Sequence, residues 1–131
     1  MHQIRIGAQL EQTLLVTSEV SISFLGERGA RVLSTPQMIL YMERACRECV
    51  LPMLEPGYDT LGTHVDVRHV AAAPMGSCVT FTAAILGVEE RRVRFRVEAR
   101  DEAGTVGEGT HERAIINVAR FTEKMQAKQR A

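Results

Sequence analysis

The sequence predicts an α+β fold, in which one long helix covers one face of an antiparallel sheet. Two observations support this prediction. Residues 38–50 carry apolar side chains at helical spacing, and after Gly57 the spacing changes to the alternation typical of half-buried strands. One strand is predicted before the helix and four after it, so the helix packs on a sheet of sequential strands. The length of 131 residues suits one core, and we expect residues 1–131 to form a single domain.

Composition and charge exclude several classes of protein. Lysine plus arginine and aspartate plus glutamate number 16 each, so no excess positive charge attracts nucleic acid or anionic membranes. The N-terminal MHQIRIGAQLEQTLLV lacks the apolar core of a signal peptide, and no apolar run reaches the roughly 18 residues that span a bilayer. We therefore expect a cytoplasmic protein without nucleic-acid or membrane partners.

The three cysteines Cys46, Cys49 and Cys78 form an odd, sparse set that suits a reducing compartment. Cys46 and Cys49 have the CxxC spacing of metal and redox motifs. They lie inside a helical pattern, however, without a second ligand pair at zinc spacing and without the strand-then-turn setting of a thioredoxin-type motif. We interpret them as small residues that face the core, and we expect neither a metal site nor a cofactor.

The first two elements are a short strand and the long helix. Residues 10–16, LEQTLLV, alternate like a strand, whereas residues 17–32 fit a helical turn or a strand and are left as a connection. The helix begins with Thr35, a candidate N-cap that is followed by Pro36, and it ends before Pro52. One broad apolar arc of the helix consists of Met38, Ile39, Met42, Ala45, Cys46, Cys49 and Val50.

Four strands follow the helix. In the first, residues 63–72, the alternation places His69 on the same face as Thr63, Val65 and Val67, and places His64 on the opposite face. The next three strands are predicted in SCVTFTAAILGV, RVRFRVEAR and TVGEGTHERAIINVARF, with turns at Glu89-Glu90 and at residues 101–104. The polar tail FTEKMQAKQRA is compatible with a fraying helix. Because one helix hardly covers such a sheet and two edges stay open, we expect a homodimer or a higher homo-oligomer.

Two polar residues occupy positions where these patterns predict apolar ones. Glu43 lies at the shoulder of the apolar arc of the helix, and His69 lies on the valine face of its strand. Because burial raises the pKa of a carboxyl group and lowers the pKa of an imidazole, both residues suit general acid–base catalysis. The patterns alone leave two alternatives open, a core histidine held by hydrogen bonds and a glutamate that reaches water.

Other polar segments point less clearly to a site. His111 in GEGTHER could line a site, but its position in a strand beside Glu112 fits a structural role equally well. The arginines of residues 91–96 form a solvated strand face, or one or two of them contact the phosphates of an extended ligand. The sequence contains no P-loop, GxSxG or HExxH motif, and its GEG stretch does not fit a dinucleotide fingerprint.

Three segments of the chain resemble one known family. STPQMILYMERAC, LGTHVDVRHVAAAPMG and GTHERAIINV are similar, in order and spacing, to the hotdog-fold thioesterases of the fluoroacetyl-CoA thioesterase-like group. The resemblance implies a long central helix wrapped by a strongly curved antiparallel sheet, and pairing as a dimer. It also implies hydrolysis of an acyl-CoA thioester to a free acid and CoA.

The resemblance further implies a set of site residues. Thr35 at the helix start, Glu43 eight residues later and His69 on the following strand match the catalytic positions of the family and keep its residue types. Glu43 would act as nucleophile or as base, assisted by His69 and Thr35. Gly62 matches a glycine whose backbone lines the acyl site, and Arg113 matches the arginine of the THER segment. These two are the expected substrate-binding residues.

Two further expectations concern the assembly and the substrate. Eight residues of straight helix separate Thr35 from Glu43 by about 12 Å, so the two either converge through a bent helix start or come from different protomers. We favour a site at the dimer interface. Ahead of the helix, FLGERGARVLST is shorter than the aromatic-rich segment of the fluoroacetyl-selective member and contains glycine. This departure favours a general short or medium acyl-CoA thioesterase.

Two alternative functions stay open at this point. A hotdog hydratase acting on enoyl-CoA would place an Asp and a His around the helix-bearing segment, and this helix contains neither. A non-catalytic dimer that binds acyl-CoA is the other alternative, and the presence of three polar residues in an apolar setting argues against it.

Overall fold

The structure is a computed structural model that describes residues 2–130. Its five strands form one curved antiparallel sheet in the spatial order β1-β3-β4-β5-β2. The strands are β1 (Gln9–Leu15), β2 (Tyr58–His69), β3 (Cys78–Glu89), β4 (Arg92–Asp101) and β5 (Gly104–Asn117). Helix α1 (Thr35–Val50) packs on one face of this sheet, and helix α2 (Val118–Arg130) follows β5. No helix within residues 2–130 is long and apolar enough to cross a bilayer. The predicted α+β class is confirmed.

The core lies between α1 and the inward faces of the central strands. All predicted arc residues of α1 except Ile39 are buried, and Ile39 is half-buried. They pack against alternate residues of β3 and β4, among them Phe81, Ile85 and Phe95. Cys46 and Cys49 are buried free thiols in this core, which agrees with their interpretation as small core residues. Burial raises the pKa of both thiols.

The start of α1 differs by one residue from the prediction. Ser34 is the N-cap, because its hydroxyl oxygen accepts a hydrogen bond from the Gln37 amide at 3.2 Å. Thr35 is the first helical residue, and Pro36 lies in the first turn as predicted. The prediction of Thr35 as the cap was therefore wrong, and its side chain is available for another contact.

An irregularity in β2 shifts its alternation. The register with β5 changes between Gly62 and His64, so that Thr63 is the extra residue of a bulge. Thr63 therefore does not continue the inward series of Val67 and His69, as the uninterrupted alternation had predicted. His64 lies on the outer face, with 56% of its side chain exposed and Nδ1 3.9 Å from Glu112 Oε2. Its prediction as a surface residue is confirmed.

Two boundaries near the C-terminal half also differ from the prediction. The β3–β4 turn consists of Glu90 and Arg91, one residue later than predicted, and Glu90 adopts the left-handed conformation with φ 57°. The last strand ends at Asn117 and does not extend to Phe121. Asn117 Oδ1 accepts a hydrogen bond from the Arg120 amide at 3.1 Å, and this cap starts α2 where the sequence pattern predicted further strand.

The segment left open by the sequence forms neither a long helix nor a strand of the sheet. A short 3₁₀ turn, Ser18–Val20, is followed by isolated bridges between Ser21 and Leu33 and between Val32 and Pro74. These bridges fix the chain just before the start of α1, beside the end of β2.

Candidate active site

Thr35 and His69 form the first of two polar clusters. Thr35 occupies the first turn of α1, and His69 is the last residue of β2. Thr35 Oγ1 and His69 Nδ1 lie 2.7 Å apart, which is a short hydrogen bond. Burial lowers the pKa of His69, and the backbone of Ala71 opposes this effect. The imidazole is therefore neutral near pH 7.

The other ring nitrogen of His69 lacks a partner. Nε2 is buried and makes no hydrogen bond to any of the described residues. Buried polar atoms in native structures are nearly always hydrogen-bonded, so an unpaired one calls for an explanation. His69 also lines a cleft of about 400 Å³ at the start of α1. Most of this cleft is apolar, with Ile22, Phe24, Val32, Leu33, Val70, Ala71 and Ala72 contributing to its walls. The cleft suits the apolar part of a small ligand.

Glu43 belongs to a second cluster, eight residues further along α1 than Thr35. Its side chain is 37% exposed, and Oε2 lies 3.5 Å from Nη1 of the buried Arg113. A Cβ atom added to Gly62 would come within 2.7 Å of the same carboxylate oxygen. The absence of a side chain at Gly62 therefore leaves the space that the carboxylate of Glu43 occupies.

Arg113 is the centre of this second cluster. Its Nε donates to Thr60 Oγ1 at 2.7 Å, and Nη2 donates to the Thr60 carbonyl oxygen at 2.9 Å. Its Nη1 faces both Glu43 and Nε2 of His111, the latter at 3.1 Å. Burial lowers the pKa of Arg113, and the charge of Glu43 opposes this effect. A buried guanidinium with this many partners holds the carboxylate in a fixed place.

The hydrogen bonds of His111 define its tautomer. Nδ1 lies 2.8 Å from the His64 carbonyl oxygen, which can only accept, so Nδ1 carries the proton and donates. Nε2 is then the acceptor for the Arg113 guanidinium. Burial lowers the pKa of His111, and the nearby Arg113 adds to this effect. The neutral ring therefore supports Arg113, which in turn contacts Glu43.

The structure brings the predicted site residues together in two groups. Thr35 contacts His69, and Glu43 lies beside Gly62 and Arg113. Within residues 2–130, no hydrogen bond or ion pair connects Glu43 with His69. Each group is thus one half of the predicted constellation.

The sequence patterns do not assign two members of the second group to a site. His111 fits a structural role equally well in those patterns, and they do not single out Thr60. A signal for both exists in the strand register, because Thr60 and Gly62 share the inward face of β2 while His111 and Arg113 share that of β5. The bulge at Thr63 reverses the alternation in β2, so counting every second residue back from His69 places Thr60 and Gly62 on the wrong face.

The sequence profile of a family described as FlK, fluoroacetyl-CoA-specific thioesterase, matches residues 16–119. The chain belongs to this thioesterase family. Its membership confirms the resemblance found in the three sequence segments. The enzyme class predicted from the sequence, an acyl-CoA thioesterase, is the class of this family.

Individual relatives of this family agree in sequence and fold. The fluoroacetyl-CoA thioesterase of Streptantibioticus cattleyicolor is 45% identical over 131 residues, which cover 95% of the chain and 94% of the relative. The solved structure of the fluoroacetyl-CoA thioesterase FlK is 36% identical, with a TM-score of 0.87 over 96% of the chain and 98% of FlK. One variant of FlK was solved in complex with acetyl-CoA. A thioesterase superfamily member from Thermus thermophilus gives a TM-score of 0.89 at 32% identity, over 99% and 96% of the two chains. The predicted hotdog fold is confirmed.

Proposed function

We propose that this protein hydrolyses an acyl-CoA thioester to the free acid and CoA, with Glu43 as nucleophile or base and with His69 and Thr35 as its assistants. One observation carries the proposal: the carboxylate of Glu43 is held by the buried Arg113 beside the gap left by Gly62. A carboxylate in such a place can attack a carbonyl carbon, or deprotonate the water that attacks it. Gly62 and Arg113 are the proposed substrate-binding residues.

The residues account for each bond change of the reaction. The attacking oxygen, from water or from Glu43, bonds to the acyl carbon, the C–S bond breaks, and the CoA sulfur leaves as a thiolate that takes a proton. If Glu43 attacks first, water then hydrolyses the mixed anhydride and regenerates the carboxylate. When the Thr35 hydroxyl donates to Nδ1 of His69, the imidazole proton lies on Nε2. The unpartnered Nε2–H then donates a hydrogen bond to the departing sulfur. If Glu43 acts as base, the thiolate takes the proton that Glu43 removed from water; if Glu43 acts as nucleophile, the thiolate takes a proton from solvent.

The separation of the two polar groups supports a site shared between protomers. Glu43 and Thr35 lie about 12 Å apart along α1, so one chain does not place Glu43 beside its own His69. The edge strand β2 offers a pairing surface, because its outer edge has no neighbour within the sheet. Leu61 and Val65 on this strand have exposed fractions of 39% and 40%. In a homodimer these apolar side chains are covered.

Strand geometry supports a way for the two groups to meet. When two β2 strands pair antiparallel about an axis between Val65 and Asp66, Gly62 of one protomer lies close to the partner's His69. The Glu43 group of one chain then faces the Thr35–His69 pair of the other. We propose a homodimer with two such composite sites.

The acyl group is proposed to be short or medium in length. The cleft beside Thr35 and His69 is apolar and about 400 Å³ in volume, and Phe24 at its rim is 80% exposed. The segment that contains Phe24 also contains Gly26 and Gly29, and it does not provide the aromatic-rich closure expected of a fluoroacetyl-selective site. The proposed enzyme therefore does not prefer fluoroacetyl-CoA to acetyl-CoA.

We place the enzyme in the cytoplasm and assign it no cofactor. The reaction uses water as the second substrate and draws on no cofactor, since CoA is part of the thioester. The free thiols of Cys46, Cys49 and Cys78 suit the reducing cytoplasm, where we place the enzyme. Its partners are the acyl-CoA and a second copy of itself, and neither nucleic acid nor a membrane is among them.

A panel of CoA thioesters with detection of the free thiol tests this function. We expect thiol release from acetyl-, butyryl- and longer acyl-CoA, and we expect Glu43→Gln to lower kcat by at least about a thousandfold while the fold and dimer are retained. Glu48→Gln makes the same change on the exposed side of α1 and is the matched control. An active Glu43→Gln protein would refute the role of Glu43. Hydration of enoyl-CoA without thiol release indicates the hydratase, and binding without turnover indicates an acyl-CoA-binding dimer.

A further inference from the structure

A second cleft lies outside the two polar groups, at the end of the sheet where α2 begins. Its volume is about 530 Å³, and it lies between the first turns of α2, the β3–β4 turn, the start of β2 and the end of β5. Three of the side chains that line it are cationic, Arg91, Arg120 and Lys124, and Glu90 is its one carboxylate among the described residues. Neither the fold nor the proposed chemistry requires such a concentration of positive charge.

The three cations of this cleft are available to a ligand. No ion pair between described residues engages Arg91, Arg120 or Lys124, whereas Arg47 and Arg96 elsewhere on the surface lie beside carboxylates. Arg120 and Lys124 are four residues apart on α2 and therefore share one face of that helix. Arg91 comes from a different element, the β3–β4 turn, so cations from two sides line one cleft.

The local backbone holds these cations in place. The Asn117 cap fixes the first turn of α2, and the Val118 amide donates to the Gly57 carbonyl oxygen at 2.9 Å, which ties α2 to the start of β2. On the other side, Glu90 adopts φ 57°, a conformation that a residue with a side chain rarely adopts outside tight turns. The turn thus presents Arg91 toward α2.

Aromatic side chains complete the cleft. Tyr58 and Phe121 line it, and the ring of His2 lies edge-on to Tyr58 with 4.6 Å between the ring centroids. Aromatic faces stack with purine bases, and guanidinium and ammonium groups bind phosphates. Flat rings together with unpaired cations are the combination that a phosphorylated purine nucleotide requires.

We propose that this cleft binds the 3′-phosphorylated ADP end of CoA, an inference that rests on the proposed function. The distance from the catalytic group fits this role. Asn117 at the cleft lies four residues beyond Arg113 on the same strand, about 13 Å away. The pantetheine arm of CoA has the length of about four extended residues, so it spans the path between the two places. In this arrangement Arg91 contacts a phosphate of CoA, which is one of the two roles that the sequence allows for the arginines of residues 91–96.

Comparison of two thioesters tests the cleft independently of the chemistry. The probes are butyryl-CoA and butyryl-pantetheine, which share the reacting end while only the former carries phosphates and adenine. For the double variant Arg120→Ala/Lys124→Ala we expect KM for butyryl-CoA to rise about tenfold, so that the ratio of the two KM values approaches one. Added salt should weaken butyryl-CoA binding in the wild type and much less in the double variant.

The matched control is Lys128→Ala/Arg130→Ala, which removes two cations of the same helix that do not line the cleft. It should leave both KM values unchanged. An unaltered KM ratio in Arg120→Ala/Lys124→Ala, or an equal rise for both thioesters, would overturn the assignment. If the wild type hydrolyses neither thioester, the proposed function fails. Titration with adenosine 3′,5′-bisphosphate then still tests whether the cleft binds the nucleotide. Binding that the double variant weakens tenfold supports it, whereas no binding refutes it.

Discussion

The two polar groups of the proposed site are built in different ways. Around Glu43, the buried Arg113 contacts Thr60, His111 and the carboxylate, and both nitrogens of the His111 ring are paired. Around His69, Thr35 is the one side chain that hydrogen-bonds the ring, through Nδ1, and the buried Nε2 has no partner among the described residues. In the first group the polar atoms are paired with one another, whereas in the second group Nε2 of His69 is free to bond a group from outside the described chain. This difference fits a division of roles in which the first group holds the Glu43 carboxylate in place and the second group bonds the substrate.

Among variants that keep every proposed catalytic side chain, the largest effect is expected where the rigid group is distorted. Gly62→Ala places a Cβ within 2.7 Å of Glu43 Oε2 and 3.1 Å of His111 Cε1, so the carboxylate must move. Because a misplacement of about 1 Å at a reacting group costs about a hundredfold, we expect kcat/KM to fall by about that factor. Steady-state thiol release from butyryl-CoA measures this change.

A second glycine of the sheet provides the control for this variant. At Gly87, an added Cβ would meet Arg94 Nη2 at 3.5 Å, which is an ordinary contact with a flexible side chain. Gly87→Ala should therefore retain wild-type turnover. Equal activities of Gly62→Ala and Gly87→Ala would show that the position of the Glu43 carboxylate does not limit the reaction.

A smaller effect is expected in the group with one hydrogen bond. Thr35→Ala removes the partner of His69 Nδ1, and we expect kcat to fall about tenfold, the value of roughly one hydrogen bond. Thr35→Ser keeps the hydroxyl and should lose no more than about threefold. The fold should be stable in both, because Ser34 supplies the cap; Ser34→Ala should instead lower the free energy of unfolding by about 1 kcal/mol. A Thr35→Ser protein as slow as Thr35→Ala would contradict the role of the hydroxyl.

The smallest effect is expected in the pH dependence of stability. Burial lowers the pKa of His111 below its ordinary value of 6.5, so below pH 6.5 the unfolded chain takes up a proton that the folded chain resists. The contribution of His111 is fully present above pH 6.5, and it is lost as the pH falls from there toward the lowered pKa. Urea unfolding between pH 7.5 and pH 5 measures this loss.

Two variants locate the origin of that pH dependence. His111→Gln should reduce the slope of the unfolding free energy below pH 6.5 and leave the part due to His69, whose pKa is also lowered by burial. His64→Gln, which changes an exposed ring, should keep the whole slope. A His111→Gln protein with the full acid sensitivity would show that His111 is not the residue that titrates in this range.

The elements could be predicted from the sequence because their patterns are local and regular. The apolar arc of α1 and the alternation in β3 and β4 follow from period alone, and the parity of β2 correctly separated His69 from His64. The proposed catalytic positions follow from the family resemblance. The contacts around these positions could not be predicted, because no sequence pattern indicates that Arg113 is buried against Thr60.

The predictions of element boundaries and strand faces fail where a single residue interrupts the regular spacing of a helix or strand. Ser34 and Thr35 are both good N-caps, and the hydrogen bond to Gln37 decides between them. The bulge at Thr63 moves Thr60 and Gly62 onto the inward face, which an unbroken alternation does not reveal. Asn117 ends the last strand because it caps α2, although the residues after it read as further strand.

The division of the site between protomers is the central claim, and activity of a defined heterodimer tests it most directly. A heterodimer purified from one Glu43→Gln chain and one His69→Ala chain should have about half of the wild-type activity, because one of its two sites contains both native groups. Its reciprocal, a wild-type chain paired with a Glu43→Gln/His69→Ala chain, should be inactive. If Glu43 and His69 act within one chain, the first heterodimer is inactive and the second retains half of the activity. That outcome would contradict the account.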